Sequence, residues 1–489
     1  MTLIKSILLA AGMSLSVFTV LAQNETDVLR YSFHEPIGTA RYAGMGGAFS
    51  AIGGDLSSIS KNPAGIAVYR RGDFGLTTAV SATQTSSLYQ NNRENATDNR
   101  FHLPNIGVVG VYESNAPGWE FVNVGVAYNK FRNFSQRISI EGDEINTSLL
   151  NVFLNQANGV NFDELGDSYP FGAGLAWNTF LLDTLNSATP DQFISAIPGG
   201  QVTQNMNIET NGHFGETALT LGANYNNELY IGATIGFSTL KYQRTMRYTE
   251  SNLDPTLPLN SFTMTDVLDV SGNGVNIKLG AIYRASEWLR VSVAWHSPTA
   301  LSLSDTWETA MTSDFKDDGV YDDLALGGYD YNIRTAGRYI AGAAFILGKR
   351  GIVSADYEFI DYGRGKLSGS NLVNDGYDFS AENATVRNVL TSTHNVRIGA
   401  EWRLLPRLRI RGGYGLQQNP YADGATTFSS DAITYSGGIG YRGKKFYAEA
   451  AYQQRNVIDE YYLYDPSVIS AAQLDQQKGE FIFTFGLRY

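Results

Sequence analysis

Five histidines are the only side chains here whose ordinary pKa lies near neutrality, and a hydrolase built on this chain would need one of them beside a serine. Strand alternation places His102 and His394 on apolar faces, His34 ahead of a small-residue segment, and His213 at a glycine-flanked kink. Only His296 falls on a polar face. Ser292 shares that face two pleats away, roughly 13 Å by strand rise, too far for a Ser-His hydrogen bond. No G-x-S-x-G or H-E-x-x-H occurs, and the absence of cysteine removes thiol catalysis, disulfides and cysteine metal sites. Asp317-Asp318-Gly319 is a fragment of a calcium loop without its ordered spacing or closing Glu, so the acidic run 308–330 reads as a solvated loop. Divalent ions bridging it to lipopolysaccharide are the alternative. Gly44 to Phe49, GMGGAF, resembles a nucleotide-binding glycine run but lacks the preceding strand and βαβ frame. The residues therefore point to no catalytic set, no metal and no cofactor: the chain reads as a non-enzyme.

Composition says what carries these residues. Of 489 residues only 17% are charged, 12% are aromatic and 51 are glycine, which suits a strand-rich, turn-rich chain with little charged surface. A net charge of -12 without a basic stripe argues against nucleic acid. Residues 1–22, with Lys5, an apolar run from Ile7 to Leu21 and Val20-Leu21-Ala22, read as a signal peptide cleaved after Ala22. No later apolar run is long enough for a spanning helix, so insertion into a membrane would use strands. Leu289, Val291, Val293 and Trp295 oppose Arg290, Ser292, Ala294 and His296, and the same alternation recurs over 395–404 and 480–489. About fourteen such strands follow residue 72. Tight links (226–228, 348–350, 442–445) alternate with long polar ones (85–100, 142–199, 250–261, 307–330, 362–388, 418–430, 457–478), which is the pattern of an outer-membrane barrel. The expected fold is all-β: a 14-stranded antiparallel transmembrane β-barrel over 73–489 with an N-terminal hatch, 23–72, as a plug in its lumen.

The hatch is legible as Gly38 to Val68, a run too rich in Gly, Ala and Ser to form its own core. Pro63 fixes its own φ and pushes Asn62 into an extended shape, leaving the Asn side chain to bond the wall. Asn62-Pro63-Ala64 before a barrel of this size resembles the FadL-type family of long-chain fatty acid outer-membrane transporters. So do Val275 to Arg284 with Trp288-Leu289-Arg290 and His296 to Thr299, and Arg397 to Trp402 with Arg411 to Gly415. The resemblance implies a hatch carrying that Asn-Pro-Ala motif, hydrophobic ligands bound near the outer face, and sideways release through a kinked strand that no stretch of this sequence marks.

Independently, 142–199 holds apolar residues at helical spacing, Leu149, Leu150, Phe153 and Leu154, then Phe162, Phe171, Trp177 and Phe180. They either pack on one another and the barrel rim or receive a greasy ligand; Phe153, Phe162, Phe171, Trp177 and Phe180 are the ligand-site candidates. The reading is a monomeric channel in the bacterial outer membrane for passive uptake of hydrophobic small molecules such as long-chain fatty acids, via an outer-loop binding site and the N-terminal hatch, read as a movable plug in preference to a static stopper, in contact with outer-membrane lipid and lipopolysaccharide. The alternative is a non-transporting barrel that scaffolds cell-envelope or secretion proteins.

Overall fold

Outward-facing apolar residues at every second position dictate the architecture: Phe481, Phe483, Phe485 and Leu487 are exposed while Glu480, Ile482 and Thr484 between them are buried. The computed structural model describes residues 24–186, 189–370 and 377–489. The signal-peptide reading of 1–22 lies outside them. Eighteen hydrogen-bonded segments form one sheet, and four of them continue the preceding segment across a break, which makes fourteen strands.

The first seven strands are β1 (Asp73–Tyr89), β2 (Asn92–Glu113), β3 (Trp119–Asn133 and Gln136–Ile145), β4 (Val202–Tyr225), β5 (Leu229–Asn252), β6 (Leu259–Arg284) and β7 (Leu289–His296 and Ala300–Phe315). The rest are β8 (Gly319–Arg334 and Arg338–Leu347), β9 (Gly351–Asp361 and Lys366–Gly369), β10 (Ser392–Arg403), β11 (Leu408–Gln417), β12 (Ala432–Arg442), β13 (Phe446–Tyr461) and β14 (Ala472–Arg488). Antiparallel pairing of β1 with both β2 and β14 closes a transmembrane β-barrel. The Leu405-Pro406-Arg407 hairpin has the expected register, with Arg403 opposite Arg409.

Several expected loops are strands. Residues 85–100 extend β1 and β2 to a two-residue turn at Gln90-Asn91, both with positive φ, and 307–330 is the top of the β7–β8 hairpin, turning at 316–318. Half of 250–261 and just over half of 457–478 are likewise strand. These hairpin tops stand above the lipid, where neither face needs to be apolar, so the sequence alternation that marks a strand is lost there.

His102 is a second correction. It is 7% exposed and faces the lumen, with Nε2 3.2 Å from Glu480. Between Thr77 and Ala79 of β1, which oppose Asn105 and His102, β2 carries one extra residue, and this bulge reverses the parity of everything above it. His394 does face outward, on Tyr357.

Inside the barrel lie α1 (Glu25–Ser32), α2 (Ala40–Ala43), α3 (Ser58–Lys61) and a 3-10 turn, Pro63–Val68. Asn24 and Asp27 form a capping box on α1, whose Val28 and Tyr31 anchor an aromatic mid-lumen cluster with Tyr331, Tyr362 and Phe379. Above it α4 (Leu149–Ala157), α5 (Leu165–Ser168) and α6 (Ala173–Asn178) cover the mouth over a separate apolar cluster.

Candidate functional site: hatch, wall slot and outer groove

The hatch is bonded to the wall along its whole length. Asn62 is extended (φ -142°, ψ 109°); its Oδ1 accepts from the Ala64 amide at 3.0 Å and its Nδ2 donates to the Ser50 carbonyl at 2.9 Å and to Ala281 of β6 at 3.4 Å. The motif lies on two wall glycines, because a Cβ on Gly280 would run into the Asn62 carboxamide and one on Gly232 into the Pro63 carbonyl.

Carboxylates on the wall hold the remaining turns. Arg41 grips Glu401 with two bonds of 3.0 and 3.2 Å, and Arg411 reaches the same carboxylate at 2.7 Å. The amides of Phe49 and Ser50 each donate to Asp356 at 3.0 Å, and Ser50 Oγ at 2.6 Å. Lys61 Nζ lies 2.8 Å from Glu358, with Arg338 and Arg397 each 3.6 Å from the other oxygen. His296 donates its Nε2 hydrogen to the Lys61 carbonyl at 3.0 Å, so this lumenal histidine fastens the hatch. Between these groups a cavity of about 40 Å³, lined by His34, Lys61, His296, Arg338, Glu358 and Arg397 among others, has room for about one water.

The wall itself is interrupted. β2 and β3 pair from Glu113–Phe121 up to Asn105–Asn129, where Asn105 Nδ2 donates to Asn129 Oδ1 at 2.7 Å. Above that pair, β2 keeps backbone pairing with β1 alone among the described residues and the upper segment of β3 pairs only with β4; across the gap side chains still reach, Arg100 to Glu209 of β4 at 3.1 Å and Asn92 to Asp143 of upper β3 at 3.0 Å. The break is Phe134-Ser135, with the Phe134 amide on the carbonyl of Gly212, whose φ of +112° favours glycine. Upper β3 has tipped inward over the lumenal face of β1: Gln136 donates to Thr85 at 3.2 Å and Ser87 Oγ to Ser139 O at 2.5 Å. The β2–β3 ladder is therefore open above Asn105, a slot in the backbone pairing, with Phe101 of β2 exposed at its edge. This is a kinked strand of the kind that the sequence did not mark. Pro104, which has no N–H for a ladder, stands just above the last paired residue and is the signal that was there.

Of the five ligand-site candidates, two line an outer groove. Trp177 and Phe180 border a cavity of about 590 Å³ together with Asn178, Leu182, Asp183, Asp322 and Asp323. Phe180 is 59% exposed with φ +58°, a left-handed conformation an aromatic residue rarely adopts, and its ring meets Tyr321 edge-on at 4.6 Å. Phe162 stacks on Trp177 at 5.5 Å, which supports the groove from behind. Phe153 lies buried in the cluster under α4, and Phe171 packs against Trp307.

A buried carboxylate at the mouth also escaped the sequence. Glu250, near the outer end of β5 and above the lipid, accepts from Ser148 Oγ, the Leu149 amide at 2.8 Å, Gln204 at 3.3 Å and Tyr248 OH, so a buried carboxylate caps α4. Burial pushes its pKa up to about 7 against the lowering effect of those donors. Nothing local predicts it, because Ser148 and Glu250 are a hundred residues apart.

No protein-family model matches the sequence, and no curated protein matches it. Among solved structures, the chain is similar to a FadL homologue of Pseudomonas aeruginosa, at 12% identity over 93% of this chain and 99% of that one, with a TM-score of 0.54. It is also similar to the toluene transporter TodX of Pseudomonas putida, at 12% identity, 93% and 99% coverage and a TM-score of 0.51. At such identity the likeness is one of fold, and it spans nearly the whole chain: the barrel shares the fold of these solved barrels.

Proposed function

We propose that a chain with this FadL-type fold is an outer-membrane channel for passive uptake of hydrophobic small molecules, long-chain fatty acids among them, exported through a signal peptide cleaved after Ala22. Ligand is captured in the groove between Trp177 and Phe180, whose aromatic walls take an apolar chain while Asp183, Asp322 and Asp323 keep any carboxylate end turned away from the groove. It leaves sideways through the slot between β2 and β3, and the hatch stays in place. The Asn62-Pro63-Ala64 motif then acts as the keystone of a fixed floor. The observation that carries this reading is the unpaired stretch of wall above Asn105 and Asn129, beside a plug bonded to the barrel through Glu401, Asp356 and Glu358. Nothing in the chain supplies energy, so transport follows the ligand gradient.

A photoreactive side chain at Leu103, on the slot, should capture a labelled long-chain fatty acid in intact cells, and one at Ser286, in the β6–β7 turn beneath the hatch, should not. Capture at Ser286 without capture at Leu103 would move the pathway into the lumen, and capture at neither would remove the transport reading.

A further inference from the structure

The end of the barrel that carries the short turns is divided by charge. Going round it from β8, the β8–β9 turn exposes Lys349 and Arg350, the β10–β11 turn Arg403 and Arg407, and the β12–β13 turn Lys444 and Lys445. Arg71, leading into β1, completes the arc, whereas its neighbour Arg70 reaches across to Asn227 of the β4–β5 turn at 2.7 Å; none of these turns exposes a carboxylate. Across the barrel the pattern reverses: Glu113 and Glu120 flank the β2–β3 turn, Glu228 lies in the β4–β5 turn and Glu287 in the β6–β7 turn, all exposed.

The six basic side chains of the three turns form no ion pair among the described residues, and Arg407 donates only to Tyr441. The carboxylates nearest in sequence, Glu401 and Glu449, are buried and already held by Arg41, Arg411 and Arg442. What remains on the surface is an unneutralised positive arc over half the rim, on a chain whose net charge is -12.

Depth decides the partner. The outward apolar band runs right into these turns: Leu347 precedes Gly348, Leu404 and Leu405 lie between Arg403 and Arg407, and Phe446 follows Lys445, all exposed. Each basic residue therefore sits within about three residues, or about 10 Å along a strand, of the end of the lipid belt, which is headgroup depth. The anions found at that depth are lipid phosphates. We propose that the arc from the β8–β9 turn to Arg71 is a docking surface for anionic phospholipid headgroups of the inner leaflet, and that the acidic half of the rim disfavours them. The barrel thus gathers an asymmetric lipid annulus. The assignment rests on the orientation given above, short turns inward, and not on any transported ligand.

The test is native mass spectrometry of the full-length purified barrel, reconstituted in nanodiscs of equal phosphatidylglycerol and phosphatidylcholine, with folding checked by heat-modified gel mobility. The wild-type barrel should retain phosphatidylglycerol over phosphatidylcholine. Replacing Lys349, Arg350, Arg403, Arg407, Lys444 and Lys445 by Gln should lower that preference about tenfold or more, while Glu228→Gln with Glu287→Gln should leave it or raise it. If the six-fold variant does not fold, Lys444→Gln with Lys445→Gln alone should reduce the preference part-way. Excess inorganic phosphate should not compete, because a free anion lacks the acyl chains that fix the headgroup at this depth. Equal retention of both lipids by the wild type, or an undiminished preference in a folded variant, overturns the proposal. So does capture of an acidic envelope protein by an arc that shows no lipid preference. Fatty-acid uptake is unaffected by any of these outcomes, so failure here leaves the transport reading standing.

Discussion

The hatch and the outer cap are both small assemblies packed into one barrel, yet they are fastened by different physics. The hatch seats apolar side chains such as Phe49, Leu56, Ile59 and Ile66 on the wall, but it is fixed in addition by charge: Glu401, Asp356 and Glu358 each take two or more donors from it or from the wall arginines beside it. The cap over the mouth is held by apolar packing, with Phe153, Leu150, Leu175 and Leu181 on Met206, Tyr248, Phe262 and Met311. Its polar attachment is centred on Glu250, a carboxylate that can lose its charge near neutral pH. Directional bonds to buried ions fix one geometry, whereas apolar contacts tolerate repacking. The contrast assigns movement to the cap and permanence to the floor.

The sharpest way to break the contrast is to remove one of the hatch fasteners. Glu401→Ala leaves Arg41 and Arg411 buried without their shared partner and should cost about 3–5 kcal/mol, read as a lower temperature of loss of the heat-resistant folded band. A loss no larger than that of an exposed Glu120→Ala control would mean that the hatch is not held by its charges.

The cap should respond to pH. Glu250 has a folded-state pKa raised to about 7 from 4.5, so the native cap binds more protons than an open one across that interval. Its stabilisation is full below about pH 4.5 and is lost as pH rises through 7, by at most on the order of 3 kcal/mol. The protection of α4 amides, that is their exchange relative to the unstructured rate at the same pH, should therefore be lower at pH 8 than at pH 5, and Glu250→Gln, which keeps a hydrogen-bonding group but cannot titrate, should make that protection independent of pH. An unaltered pH dependence in that variant would remove Glu250 as the latch.

How much of this contrast the sequence carried depends on distance along the chain. The lipid face of 289–296 and the hairpin at Leu405-Pro406-Arg407 follow from local alternation, and the structure keeps both. The hatch motif was legible because Pro63 restricts its own neighbours. His102 was misplaced because one inserted residue in β2 inverts parity, and a bulge leaves no mark on composition. The pairs Arg41–Glu401 and Lys61–Glu358 join residues about three hundred or more positions apart, so no pattern of spacing shows them. The groove was half legible: spacing found the aromatic residues of 142–199, but only packing separates Phe153 in the core from Phe180 in the open.

A smaller effect is expected at the groove. Trp177→Ala and Phe180→Ala each remove an aromatic wall from a partly wet site and should weaken binding of a fluorescent fatty acid about tenfold, with barrel folding unchanged. Phe153→Ala should instead loosen the cap itself. Unchanged affinity in both groove variants would take the capture site elsewhere.

The smallest expected effect is the most telling. Ser50 of the hatch and Ser292 of β7 have their hydroxyl oxygens 3.0 Å apart, and the chain has no other cysteine to interfere once both are replaced by Cys. Their side chains face each other closely enough for a disulfide, whose sulfurs lie about 2 Å apart, and an oxidised bond there ties the hatch to the wall permanently. Fatty-acid uptake by cells carrying the Ser50→Cys, Ser292→Cys barrel, compared with and without reductant, tests whether ligand passes a fixed floor. A floor that never moves predicts equal uptake in the two states. Uptake that stops on oxidation and returns on reduction would show that the hatch must move, and would contradict the account.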